Sequence, residues 1–368
     1  MSEPRKSPVK PAGKVPALTT AYLYYSGFCN LSCRHCWIEP EYLASGRANS
    51  DLPLKEVIAA LEECIPLGLS QVKLTGGEPF LRQDILELLD YLVLKKLGIT
   101  IETNGTLIKE NEARAIKRAK VRSVAVSLDS PEEGLHEELR QIKGSFKAAI
   151  EGIRCFKEAG VENLQIIMCL WRKNAHQIKE MLSFAEARGV ASLKINPITP
   201  TYHRAKEMGE NELLLSTREI LDTYHQLSNG FKQRKLRLFF DIPSALLSLK
   251  DLKENKSSTC RIKNILGILA NGNISICGIG KSIDRLILGR VGKDRIRDIW
   301  ERHAILRQIR EEVPAKMQGV CGRCLFKFSC LGKCRANVFC ETNSLLSPFS
   351  LCQEAYEQGL FPLNRLMK

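Results

Sequence analysis

From Leu18 to about residue 200, short apolar runs alternate with longer stretches whose apolar positions recur at helical spacing. The runs 21–25, 71–75, 99–102, 123–128, 163–170 and 192–195 predict strands. Between them, 53–65, 85–96, 109–119, 146–159 and 175–188 predict helices. In the first of these Pro53 sits where a helix tolerates proline, and Val57, Ile58, Leu61 and Ile65 mark one face. Gly160 and Gly189 follow the last two and stop them. Six strands alternating with helices predict an α/β fold with a parallel sheet and right-handed crossovers. Ligands then gather at the carboxyl ends of the strands. Periodicity alone leaves an open barrel and a doubly wound sheet both standing.

The alternation stops near residue 200. Residues 197–212 mix Pro, Thr, Gly and charge and predict a connector, and 217–235 predicts one more amphipathic helix. Beyond Cys260 the chain is rich in cysteine, and Ile274-Ser275-Ile276 suggests a hairpin turning at Asn271-Gly272-Asn273. Residues 1–17 hold Lys, Pro, Ser and Gly with little apolar content and predict a disordered tail. The expected division is a tail over 1–18, a strand–helix domain over 19–200, a connector and helix over 201–255, and a cysteine-rich domain over 256–368. This leaves no room before the first strand for a fused recognition domain.

Composition narrows the setting. A chain of 368 residues with 44% hydrophobic and 26% charged residues can build two cores and has ordinary soluble proportions. No apolar run approaches the roughly 20 residues that span a bilayer, and the N-terminus lacks a signal-peptide pattern, so a cytoplasmic site with no membrane partner is expected. Fourteen cysteines in such a setting argue for metal or cluster ligation over disulfides. The net charge of +14 suits an acidic partner or a generically basic surface.

The chemistry centres on Cys29, Cys33 and Cys36, a Cys-x3-Cys-x2-Cys triplet just after the first strand. Three thiolates on a four-iron cubane leave one iron open to substrate or cofactor; a zinc knuckle is the other reading of the triplet alone. Gly76-Gly77-Glu78-Pro79 ends the second strand, where two glycines let backbone approach a ligand closely. Together these motifs resemble the radical S-adenosylmethionine (SAM) enzymes. The resemblance implies a partial (β/α)6 barrel and a 4Fe–4S cluster on Cys29, Cys33 and Cys36 that is chelated by SAM. It also implies that Gly76, Gly77, Glu78 and Pro79 meet the SAM amino group, and that His35 packs near the adenine. Ser127, Asp129 and Arg140 are carried over as further SAM contacts, with Arg140 pairing the SAM carboxylate.

The C-terminal pattern Cys260, Cys277, Cys321, Cys324, Cys330, Cys334 and Cys352 resembles the SPASM extension of that family. By this resemblance Cys321, Cys324, Cys330 and Cys352 hold one complete auxiliary 4Fe–4S cluster, and Cys260, Cys277 and Cys334 three corners of a second. Residues 253–259 contain no cysteine, so the second site is open or is completed by Cys340. Two zinc sites remain the alternative. Cys64, Cys155 and Cys169 have apolar neighbours and are expected to be small buried hydrophobes.

The resemblance implies reductive SAM cleavage to a 5′-deoxyadenosyl radical that abstracts hydrogen from substrate. A ribosomally made precursor peptide is the expected substrate, giving a crosslink, a thioether or excision of a tyrosine-derived fragment. A separate small leader-recognition protein and an electron donor such as flavodoxin or ferredoxin are the expected partners. Sulfatase maturation is disfavoured, because those relatives carry Asp after the cysteine equivalent to Cys277, whereas Gly278 stands here. The alternative substrate is a tetrapyrrole or other small cofactor precursor, with Trp37, Trp171 and Phe239-Phe240 as candidate walls of a flat pocket. A non-catalytic cluster or zinc protein binding nucleic acid is a third reading, and the intact motifs argue against it. Tyr202, His203 and Asp241 are candidate acid–base or relay groups without a distinguishing signal.

Overall fold

The computed structural model describes residues 15–38, 40–42, 51–200, 203–210, 213–230, 235–254, 259–278 and 283–367. Its strands are β1 (Thr20–Ser26), β2 (Phe28–Cys29), β3 (Glu41–Tyr42), β4 (Gln71–Gly76), β5 (Gly98–Thr103), β6 (Ser123–Ser127), β7 (Leu164–Leu170) and β8 (Ser192–Pro197). They are followed by β9 (Arg237–Phe240), β10 (Ile265–Ile268), β11 (Asn273–Ser275) and β12 (Ile287–Arg290). The helices of the first part are α1 (Leu54–Cys64), α2 (Ile85–Leu94), α3 (Glu110–Arg118), α4 (Glu133–Arg140), α5 (Ser145–Glu158) and α6 (Ile178–Ala187). Two more, α7 (His203–Glu210) and α8 (Thr217–Gly230), precede β9.

One sheet runs β12-β11-β10-β1-β4-β5-β6-β7-β8-β9. Every neighbouring pair from β10 through β1 to β9 is parallel, and β11 and β12 are antiparallel additions. The six expected strands are β1 and β4–β8, and the chain is the α/β partial barrel that the alternation and the motifs implied. Each strand sorts its residues by period 2. Ala21, Leu23 and Tyr25 of β1, Val72 and Leu74 of β4, and Leu193 and Ile195 of β8 enter the core shared with the helices. The residues between them, Tyr22, Tyr24, Lys73 and Lys194, therefore point to the inner face.

Two features differ from expectation. The tract read as a connector contains α7 and supplies β9, a strand of four residues that extends the sheet beside β8. The hairpin of β10 and β11 forms as expected, with Gly272 at φ +85° in its turn. It does not stand apart, because β10 pairs Gly267 with Tyr22 of β1 and so joins the barrel sheet. The tail over residues 1–14 lies outside the described residues. Among the described residues no helix is long and apolar enough to cross a membrane.

Candidate functional site

The loop after β1 carries the cysteine triplet and is bolted down by backbone. Gly77 N–H donates to Ser26 O and Glu78 N–H to Phe28 O, both at 2.8 Å. A Cβ on Gly77 would lie 1.9 Å from Phe28 O, and Gly76 sits at φ +131°. These glycines thus permit a close approach of the cysteine loop to the end of β4. Glu78 is fully buried. Its carboxylate accepts from Thr103 Oγ1 (2.8 Å), Phe80 N (3.1 Å) and Asn104 N (2.8 Å), which joins the end of β4 to the end of β5. Burial pushes the Glu78 carboxyl up to about 7 against the pull of these donors. Pro79 opens the short turn that follows.

Cys29 and Cys33 are buried around Leu31, with Cys36 and Ile142 packed against them. Sulfur is met by N–H donors. Leu31 N lies 3.4 Å and Asn104 Nδ2 3.8 Å from Cys29 Sγ, and Arg140 Nη1 lies 3.5 Å from Cys33 Sγ. Burial, then Glu78 and the neighbouring thiols, push the Cys29 thiol up, so a cationic group among these sulfurs would favour the thiolates.

Arg140 is held by Asp129. Its Nε and Nη2 donate to Asp129 at 2.6 and 3.1 Å, and both residues are buried. Asp129 also accepts from Cys169 N (3.0 Å), and its own N–H donates to His136 Nδ1 (3.3 Å). Burial would raise the Asp129 carboxyl, but the Arg140 guanidinium outweighs it and holds it below the usual range. His35 is buried with Nδ1 unpartnered, and burial, then Arg140, lower its imidazole to about 3. Ser127 ends β6 half-buried.

Above the barrel mouth lies a cleft of about 270 Å³. Its walls include His35, Trp37 and Cys169 on one side and Asp241, Lys333 and Cys334 on the other. Asp241 accepts from Lys333 Nζ at 2.6 Å and pairs with Lys194 at 3.3 Å. Lys333 sits at φ +60°, a left-handed conformation uncommon for a side chain of its kind. Trp37 stacks edge-on against Tyr24 at 5.9 Å, and a Cβ on Gly278 would lie 1.6 Å from Tyr24 Cζ.

The C-terminal cysteines form two groups. Cys321, Cys324, Cys330 and Cys352 line one apolar cavity, where Phe349 N and Phe326 N lie 3.4 and 3.3 Å from Cys321 Sγ and Cys324 Sγ. Cys260, Cys277 and Cys334 converge beside Tyr22. Burial first, and then Cys260, Glu102, Cys277 and Cys334, push the Tyr22 phenol up. Cys340 lies on the helix Arg335–Thr342, about 9 Å of helical rise beyond Cys334.

Cys64 and Cys155 are core residues as expected, whereas Cys169 lines the cleft with His35 and Asp129 within 4.8 Å. Its place on the inner face of β7 follows from strand alternation, which the apolar neighbours in sequence obscured. Trp171 is fully buried with Leu139 and Met208 and Phe240 is core, whereas Trp37 lines the cleft and Phe239 is half-buried in register with Lys194. Tyr202 lies outside the described residues. The Asp241–Lys333 pair joins residues 92 apart and had no local signal.

A model of the Radical SAM superfamily matches residues 23–185, and a model of the SPASM iron–sulfur cluster-binding domain matches 260–325. An AdoMet-dependent heme synthase of Oleidesulfovibrio alaskensis is 28% identical over 338 residues, covering 88% of this chain and 84% of that protein. The mycofactocin maturase MftC of Mycolicibacterium smegmatis is 25% identical over 359 residues, covering 93% and 83%. The crystal structure of Streptococcus suis SuiB bound to precursor peptide SuiA superposes with a TM-score of 0.70 at 20% identity, over 92% of this chain and 76% of that one. The buried thiol groups with their N–H donors, and the unpartnered His35 Nδ1 beside them, fit iron–sulfur clusters and SAM as cofactors. The chain is a radical SAM enzyme with an iron–sulfur cluster-binding SPASM domain.

Proposed function

We propose that this enzyme matures a ribosomally made precursor peptide, with the reacting residue held in the cleft between barrel mouth and SPASM domain. In this reading Cys29, Cys33 and Cys36 hold the SAM-binding cluster. Cys321, Cys324, Cys330 and Cys352 hold one auxiliary cluster, and Cys260, Cys277 and Cys334 three corners of another. When bound, the SAM site supplies one-electron reductive cleavage of SAM and hydrogen abstraction from carbon. The chain's own residues do the rest. Gly76 and Gly77 fix the cysteine loop, Glu78 ties it to β5, and His35 and Trp37 wall the cleft on the side of that loop. Asp241 and Lys333 present a charged pair on the opposite wall, where a peptide amide or carboxylate has donors and an acceptor to meet.

The observation that carries this reading is the size and openness of the cleft. About 270 Å³ lies at the lower end of ordinary ligand pockets of ~300–1,000 Å³ and suits one amino-acid side chain with its backbone left outside. MftC, whose name marks it as a maturase, is among the similar proteins. A second reading has its own support: a heme synthase is 28% identical, and Lys73, Lys194 and Lys333 near the barrel mouth suit the carboxylates of a tetrapyrrole. The burial of Trp171 and Phe240 weighs against a flat aromatic pocket.

Anaerobic protein would be incubated with SAM, a reductant and a short peptide encoded beside the enzyme, and the peptide mass followed. A loss of hydrogens or of a fragment supports the peptide reading. An unchanged peptide, together with a porphyrin absorbance shift on adding an iron porphyrin carrying propionates, moves the assignment to the tetrapyrrole reading.

A further inference from the structure

The segment that carries Cys324 and Cys330 also exposes two large apolar side chains. Leu325 is 56% and Phe328 70% exposed. The C-terminal segment beside it adds Leu363 at 71% and Met367 at 38%. Backbone ties the two segments into one face: Leu325 N–H donates to Arg365 O at 2.9 Å, Met367 N–H donates to Arg323 O at 2.8 Å, and Cys324 bridges Leu366. An apolar group of this kind on a surface marks a contact site.

The charged residues of the two segments that form this face are all basic. Residues 319–331 and 361–367 contain Arg323, Lys327 and Arg365 and no Asp or Glu. Arg365 lies over the Phe326 ring at 5.1 Å, Lys327 over Phe328 at 5.5 Å, and Arg323 over Tyr356 at 6.0 Å, so cations rim the apolar side chains. The adjacent helix Ser350–Glu357 brings Glu354 and Glu357, of which Glu354 is engaged by Thr217. Directly beneath is the cavity lined by Cys321, Cys324, Cys330 and Cys352, and Lys327 belongs to its wall.

We infer that this face docks a small acidic one-electron carrier protein. The inference rests on the reading that those four cysteines hold a cluster. An apolar centre with a basic rim is complementary to a carrier whose redox centre is ringed by carboxylates. Docking there would set the carrier against the segment that bears Cys324 and Cys330. One electron then passes between carrier and cluster, one partner losing what the other gains, and no proton or bond moves.

The test uses full-length, anaerobically reconstituted enzyme and an acidic flavodoxin as the probe, with binding followed by calorimetry. Wild type is expected to bind, and to bind several-fold more weakly when salt rises from ~50 to ~200 mM. Reversing the rim with R323E, K327E and R365E is expected to weaken binding at least tenfold. Phe328→Ser with Leu363→Ser is expected to weaken it to a similar degree. Iron content and circular dichroism equal to wild type show that each variant is folded and loaded. No binding by wild type, or equal binding by both variants, overturns the proposal. So does concentration-dependent dimerisation that Phe328→Ser abolishes, since the face would then belong to a second copy. Failure of the ligand reading shows separately, as a Cys324→Ser protein that keeps its full iron content.

Discussion

Replacing Gly77 by alanine tests whether the Gly-Gly-Glu-Pro strand end works as a backbone clamp on the cysteine loop. The new Cβ would lie 1.9 Å from Phe28 O, 2.4 Å from Phe28 C and 3.1 Å from Cys29 N. Contacts below 3.0 Å do not persist, so β4 and the loop must part by about 1 Å. That movement stretches the two 2.8 Å hydrogen bonds from Gly77 N and Glu78 N. Overpacking of this kind costs about 1–3 kcal/mol, and two weakened backbone hydrogen bonds add about 0.5–1.5 kcal/mol each. A loss of about 2–6 kcal/mol is expected, and the displaced segment is Phe28 and the start of the cysteine triplet at Cys29. Urea unfolding of the metal-free chain measures the stability, and iron loading measures the cysteine loop. Gly134→Ala is the control, because its Cβ meets nothing within 4 Å. The reasoning is refuted if Gly77→Ala unfolds at the same urea concentration as wild type and loads the same iron.

Three further outcomes follow from the same geometry. Glu78 has its folded pKa raised to about 7 from 4.5. Its contribution to stability is therefore full below about pH 4.5 and lost as pH rises through 7, a span of about 3 kcal/mol. Urea unfolding at pH 5 and pH 8 should show that slope in wild type and a shallower one in Glu78→Gln. Arg140→Met strands the buried Asp129 carboxylate and should cost about 3–5 kcal/mol, with part of the loss recovered by adding Asp129→Asn, as a double-mutant cycle would show. Gly278→Asp drives its Cβ into the buried Tyr24 ring, so it should sharply lower the melting temperature, and Tyr24→Ala should partly rescue it.

The sheet was legible because each barrel strand is a compact run bounded by a turn residue, as in Val72–Leu74 before Gly76-Gly77 and Ile99–Ile101 before Asn104-Gly105. The grouping of Cys29, Cys33 and Cys36, and of Cys321, Cys324 and Cys330, was legible because the members of each set stand close together in sequence. Strand β9 was missed: it has four residues, and Arg237 heads it after a basic tract. The pairing of β10 with β1 joins positions more than 240 residues apart, and no local pattern encodes it. The same holds for Asp241–Lys333, which unites the end of β9 with the SPASM segment. Arg140 illustrates a different limit. Its proximity to the cysteine site was anticipated, but whether its guanidinium meets a ligand or Asp129 depends on a strand–helix contact eleven residues apart. Gly278 was noted only as a departure from relatives; the structure supplies its reason in the Tyr24 ring.

The most direct test of the account is iron and sulfide counting on anaerobically reconstituted protein, with 5′-deoxyadenosine measured after addition of SAM and a reductant. Three clusters predict about twelve irons per chain in wild type and about eight when Cys33, Cys330 or Cys334 is replaced singly by alanine. Cleavage of SAM should vanish only in the Cys33 variant. Bound zinc without SAM cleavage, or a Cys33→Ala protein that still cleaves SAM, would contradict it.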